Sequence, residues 1–247
     1  MDITTTPVNT KLAKLIQRVV PEPMSEKEFG KLSRSQKAIM IAQDALALLK
    51  NKLVSASTGQ YVNLDKVISG NDYDISATSL EAKCGIFSKG RCTVCAKGAL
   101  FVSTIMRTNQ MSVGDLVNGD TESKVCDTEE IFDRRNFSLI ETAFELHYSH
   151  ELDEVENTDI DSDIIDAHLL GKELDPCGYP ILALTRTEKR HYQLCKDALA
   201  FGDKFLDETE RLAAILINII RNKGTFVPSK SVKPSDVKRA LHGRGKK

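Results

Sequence analysis

The chain has 247 residues, 41% of them hydrophobic and 28% charged, with a formal net charge of −1. That balance excludes a disordered chain, and near-neutrality excludes any global pull towards nucleic acid or a membrane surface. The longest apolar run, Leu212 to Ile220, is interrupted by Asn218 and falls far short of the ~20 residues a spanning helix requires.

The first residues show no basic region followed by an apolar stretch, so no secretory signal is expected. The expected location is cytoplasmic, without membrane contact, and the six cysteines are expected to be mostly free thiols. The absence of Trp and an aromatic content of 6% argue against a stacking platform for single-stranded nucleic acid.

Residues 1–9 are expected to be flexible. Leu12, Leu15, Ile16 and Val19 recur at helical spacing and predict a helix from Thr10 to Val20, ended by Pro21 and Pro23. Ser25 caps a short turn of helix through Phe29. Ser33 or Ser35 opens the next helix, which runs to about Leu53 with Ala38, Ile41, Ala42, Ala45, Leu48 and Leu49 on one face. Residues 54–82 lose the helical period, and Gln60 to Leu64 alternates weakly enough for a short strand.

A helix is then expected over about 93–107, apolar nearly all round, and therefore central to its bundle. Gly98 and Ala99 would let a neighbouring helix approach it closely. Asp127 reads as an N-cap with Glu130 completing a capping box, and a helix follows Asn136 to about His147. From Glu151 to Asp175 ten acids stand against one base, which predicts a long acidic surface loop. Thr187 is expected to cap a helix reaching Phe201. Asp207 caps the last one, which Gly224 terminates. The expected fold is mainly α: a single helical domain over 10–226 with one or two short strands. Residues 227–247 are expected to be a disordered basic tail.

Three chemistries compete for the segment from Cys84 to Ala99. Cys92 and Cys95 form a Cys-x-x-Cys at an expected helix N-terminus, where the helix dipole would lower a thiol pKa for redox work. Cys84, Cys92 and Cys95, completed by Cys126 or a histidine, would supply zinc ligands, although only one tight pair is present where structural zinc uses two. Lys89, Arg91 and Lys97 around a helix start would hold an anion, without the Gly and Lys-Ser/Thr spacing of a P-loop. Against all three, Cys92 and Cys95 read most simply as small buried side chains of a central helix.

Asp159, Asp161 and Asp163 imitate half a calcium loop, but Ile164 and Leu170 stand where Gly and the bidentate Glu belong. In the tail, Lys230, Lys233, Lys238, Arg239, Arg244, Lys246 and Lys247 would give salt-sensitive affinity for nucleic acid. No hydrolase or metalloprotease motif is present, and the histidines stand singly.

The run Cys92-Thr-Val-Cys95-Ala-Lys-Gly98-Ala99, followed by Leu139-Ile140-Glu141-Thr142-Ala143-Phe144 and by Arg211 to Ile220, resembles a family of uncharacterised bacterial and bacteriophage proteins. The resemblance spans roughly residues 34 to 226. It implies a phage or mobile-element origin and shared packing, and brings no catalytic residue or cofactor with it.

The expected function is a non-enzymatic binding or accessory protein, acting on a host protein or a small anionic ligand. A nucleic-acid accessory role through the tail, and a redox or zinc role at Cys92 and Cys95, are the alternatives. The pattern leaves oligomeric state open, because an exposed apolar helix face and a core-facing one read alike.

Overall fold

Short polar side chains open several of the helices. The structure, a computed structural model, describes residues 10–59, 61–64, 76–88, 92–108, 128–146 and 186–243. Among these are ten helices and three short strands, so the fold is mainly α, as the sequence predicts. The acidic stretch 151–175 and the first nine residues lie outside the described residues, as do Asp127, Lys89, Arg91, Arg244, Lys246 and Lys247.

Helix α1 is Thr10–Val19 and α2 is Glu26–Gly30, the latter opened by Ser25 in a capping box with Glu28. Helix α3, Arg34–Lys50, opens on Ser33, whose hydroxyl accepts from the Gln36 N–H while the Gln36 side chain accepts from Ser33 N at 2.8 Å. Its predicted apolar face is buried in full, from Ala38 to Leu49. Arg107 reaches across to Asp44 on α3 with two hydrogen bonds of 2.5 and 2.9 Å. Burial nevertheless holds the Asp44 carboxyl above its ordinary pKa, and the Arg107 hydrogen bonds only partly offset that.

The chain then makes β1 (Ser55–Ala56), β2 (Val62–Leu64), α4 (Leu80–Ile86, capped by Ser79) and β3 (Cys92–Val94). The last strand is central: β1 pairs with it in parallel and β2 antiparallel, with Thr93 opposite both Ser55 and Asn63. Helix α5, Ala96–Thr108, follows at once.

Here the structure corrects the expected helix start. Cys92, Thr93 and Val94 are strand, because two partner strands satisfy their backbone and the β-branched Thr93 and Val94 suit a pleated, buried position. Cys95 becomes the residue before α5, and its sulfur accepts the Gly98 N–H at 3.4 Å, where a serine or aspartate oxygen would usually stand. What lies close to Gly98 is also not a helix. A Cβ there would overlap the carbonyl of Tyr61, which itself accepts from Cys95 N at 3.3 Å. Helix α4 was likewise unexpected in a stretch without helical period.

Helices α6 (Glu129–Phe132) and α7 (Arg134–Glu145) are followed by α8 (Arg186–Gly202), α9 (Glu208–Arg221) and α10 (Pro234–His242). Helix α8 begins ahead of Thr187, the expected cap. Asp207 caps α9 as predicted, and its carboxylate accepts from Glu210 N at 2.9 Å. Gly224, at φ +88°, ends the α9 segment by donating to Ile219 O. Residues Arg211 to Ile219 of α9 are all buried, and α9 packs on α3, α7, α10 and β1. Gly202 lets α8 lie directly on the backbone of α7 at Ala143.

The tail is the largest departure. Pro234 opens α10 and Gly243 follows it, while Val232, Val237 and Leu241 are buried against the rest of the molecule. Val237 and Leu241 lie four apart on one face. Three apolar side chains among many bases are too sparse to register as a helical period, yet they suffice to dock the segment on α9 and α3. One hydrophobic core runs through all these elements, from Ile16 to Leu241. Each fully buried Leu, Ile or Phe in it contributes about 1.5–3 kcal/mol.

Candidate functional site

The residues singled out around Cys92 do not form an open site. Cys92 and Cys95 are buried, and desolvation pushes both thiols up to about 12. Burial therefore outweighs any dipole at the start of α5, which is the opposite of the low pKa a redox pair needs. For Cys95, Glu145 and Glu141 push in the same direction as desolvation. Cys84 is half-buried on α4, also with a raised pKa from burial. Among the described residues, no three His, Cys, Asp or Glu side chains come together so as to hold a metal ion. Cys126, His147 and His150 lie outside them.

Lys97, expected at an anion site, turns into the protein instead. Only 1% of its side chain is exposed, and its ammonium meets Glu141 Oε2 at 2.7 Å. It also lies over the rings of Phe137 (5.1 Å) and Tyr61 (5.7 Å). The first turn of α5 thus meets α7 through an ion pair that is internal to the fold. Two neighbouring carboxylates hold the β1–β2 link in the same way. Glu145 accepts from Gly59 N at 3.0 Å, and Glu208 accepts from the Thr58 hydroxyl at 3.0 Å. The Lys97 charge serves this architecture rather than a ligand.

An open cleft occurs elsewhere. The first turns of α3 and α7 converge on a space of about 370 Å³, lined by Arg34, Ser35, Asp133, Arg135, Asn136 and Thr225. Phe132 and Leu139 add apolar wall. Two helices begin here, so two positive dipole ends face the same space. Two guanidinium-bearing residues against one carboxylate leave the lining cationic. Arg34 is steadied across the cleft: its Nε donates to Ile131 O at 3.0 Å, and its Nη1 lies 3.7 Å from Asp133. Asp133 caps α7 by accepting from Arg135 N at 3.1 Å, from a backbone at φ +65°. Asn136 fixes the far wall by bonding both the carbonyl (2.7 Å) and the N–H (2.9 Å) of Phe226.

None of these residues was a site candidate in the sequence. Arg34 and Arg135 are about a hundred positions apart, and only the packing of α6 on α3 brings their helix starts together. The local signals that were present, two polar caps each followed by arginine, are too common to single out.

The four described bases of the tail, Lys230, Lys233, Lys238 and Arg239, are exposed on or just before α10. Asp236 bonds Arg221 at 3.0 Å and also pairs with Arg239, and the Arg221 bond holds its carboxyl below the usual range. Comparison with protein-family models, curated proteins and solved structures returned no match to this chain. Among the described residues, no helix is long and apolar enough to cross a membrane.

Proposed function

We propose that this chain is a non-enzymatic binding protein that takes a small anionic ligand in the cleft between the starts of α3 and α7. One observation carries the reading: Arg34, Arg135 and the first turns of two helices line a single space of about 370 Å³. Helix starts and guanidinium groups are the two commonest devices for holding phosphate or carboxylate oxygens. With Arg34 braced by Ile131 O, its side chain loses little further freedom when an anion arrives. Inorganic phosphate and pyrophosphate, followed by amide chemical shifts, test the assignment. Shifts are expected at Arg34 to Gln36, Arg135, Asn136 and Thr225, and Arg135→Ala should weaken binding about tenfold, the loss of one charge-assisted hydrogen bond. No shift at millimolar phosphate, or shifts confined to another surface, would reject it.

A second reading, nucleic-acid binding through the tail, is favoured by one specific observation: Lys230, Lys233 and Lys238 stand exposed around an ordered helix. Deleting the tail would remove Val232, Val237 and Leu241 from the core, so a deletion cannot separate binding from folding. The test is Lys233→Glu with Lys238→Glu on the full chain. Weaker duplex-DNA binding with a shallower salt slope supports this reading, and unchanged or salt-independent binding ends it.

A further inference from the structure

Residues 221–243 carry six Lys and Arg side chains against one acid, Asp236, in a chain of net charge −1. All six, Arg221, Lys223, Lys230, Lys233, Lys238 and Arg239, are exposed. Two bonds gather them around the end of α9. Arg221 pairs with Asp236 at 3.0 Å, which sets the first turn of α10 against that end, and Asn218 holds the Lys230 carbonyl at 2.7 Å. The carbonyl end of a helix carries about half a negative charge, which a single base offsets. Six bases against one acid exceed that by far.

This basic surface is continuous with the anion cleft. Lys223 takes a left-handed conformation (φ +58°), uncommon for a residue with a side chain, and hands the chain directly to Gly224 and Thr225 in the cleft wall. The apolar side chains of the same segment, Val232, Val237 and Leu241, are buried, so the surface offers charge and nothing to insert into a bilayer.

We propose that the cleft and these bases are one site, which takes the phosphorylated end of a nucleic-acid strand. The inference rests on the cleft's taking an anion, as proposed above, and joins the bases around α10 to it. A terminal phosphate presents three oxygens and up to two charges to Arg34, Arg135 and the two helix starts. The diester phosphates that follow, one charge per nucleotide, run over Lys223 and the bases around α10. The strand ends in the cleft rather than threading through it. Asn136 ties the far wall shut by bonding both the carbonyl and the N–H of Phe226, and about 370 Å³ leaves no room for a duplex.

Fluorescence anisotropy on the full chain tests it, with one labelled oligonucleotide carrying a 5′-phosphate, a 3′-phosphate or hydroxyls at both ends. One phosphorylated form should bind about tenfold tighter than the hydroxyl form, the gain of a charge-assisted contact. Arg135→Ala, at an exposed position, should erase that difference and leave the thermal melt unchanged. Lys233→Glu with Lys238→Glu should weaken all three forms alike and flatten their salt dependence. Equal affinity for phosphorylated and hydroxyl ends overturns the proposal, and if pyrophosphate still shifts the Arg34 and Arg135 amides, the cleft reading stands without it. Absence of those shifts removes the cleft reading and this inference together. Poly-glutamate that displaces the strand as well as unlabelled oligonucleotide of equal charge also overturns it, in favour of an acidic protein partner.

Discussion

Asn218 stands in the run Arg211 to Ile219 of α9, buried without a break, and uses its whole side-chain amide. Its Nδ2 donates to Val227 O (2.9 Å) and Lys230 O (2.7 Å), while its Oδ1 accepts from Val227 N (2.8 Å) and from Asn222 Nδ2 (3.0 Å). These bonds satisfy the backbone of a link that has no strand or helix of its own to do so, and they hold α10 against α9. In the sequence, Asn218 is visible only as an interruption in an apolar run. Asn218→Ala takes this partner from the part-buried Lys230 O and Val227 N–H, and leaves Val227 O with the Lys230 N–H alone; it should cost about 1–3 kcal/mol in urea unfolding. Asn218→Leu should be no better, although it restores an apolar side chain. If the leucine variant proved as stable as wild type, the amide would be incidental to the α9–α10 junction.

At the scale of elements, two glycines separate what the backbone requires from what it tolerates. Gly98 sits against the Tyr61 carbonyl, where a methyl group has no room without moving β2 away from β3. Gly85, near the end of α4, has nothing within 4 Å of where a Cβ would stand. Gly98→Ala should lower stability by about 3 kcal/mol or more, since backbone rather than a flexible side chain must move. Gly85→Ala should raise it by about 0.5–1 kcal/mol through lower backbone entropy in the unfolded chain. Parallel thermal melts of the two variants read both signs, and a neutral Gly98→Ala would contradict the packing at Tyr61.

The elements that were legible in the sequence are those whose signals are local. The helices now defined as α1, α2, α3 and α9 carry an identifiable cap or stop, and their observed bounds follow those signals except that α3 ends at Lys50, short of the expected Leu53. Strand β3 was not legible, because a short, mostly buried strand and the start of a buried helix present the same run. Helix α10 was missed because Val237 and Leu241 are outnumbered by bases, although Pro234 and Gly243 mark its ends in the sequence. The cleft was beyond reach for a different reason: it exists only where two helix starts, far apart in the chain, are packed together.

For the molecule as a whole, the buried thiols set an alkaline limit. Cys92 and Cys95 have an ordinary value of 9.0 when unfolded and about 12 in the fold. A folded-state pKa raised above the unfolded value gives stability that is complete below the unfolded pKa and is lost as pH rises towards the folded one. Between pH 9 and about 12 the unfolded chain sheds both protons while the folded chain keeps them, so unfolding becomes easier by roughly 1 kcal/mol per pH unit for each thiol. Urea midpoints should fall between pH 8 and about pH 10.5. They should fall less steeply in a Cys92→Ala, Cys95→Ala double variant. Equal slopes in the two proteins would show that other groups govern the alkaline limit. A thiol-specific reagent at pH 8 should label neither cysteine until the protein is unfolded.

The strand order β1-β3-β2 has a consequence in time as well as in space. The middle strand is the last of the three in the chain, so both edges are made before anything exists for them to pair with. Neither β1 nor β2 can wait as a hairpin, because they do not pair with each other. β3 supplies the pairing edge for both seams, and Cys95 directly after it opens α5. Amide protection at Ser57 and Cys95, on opposite seams, should therefore appear with a single rate during refolding. The sheet is a clasp with two jaws and one pin, and neither jaw has a partner without it.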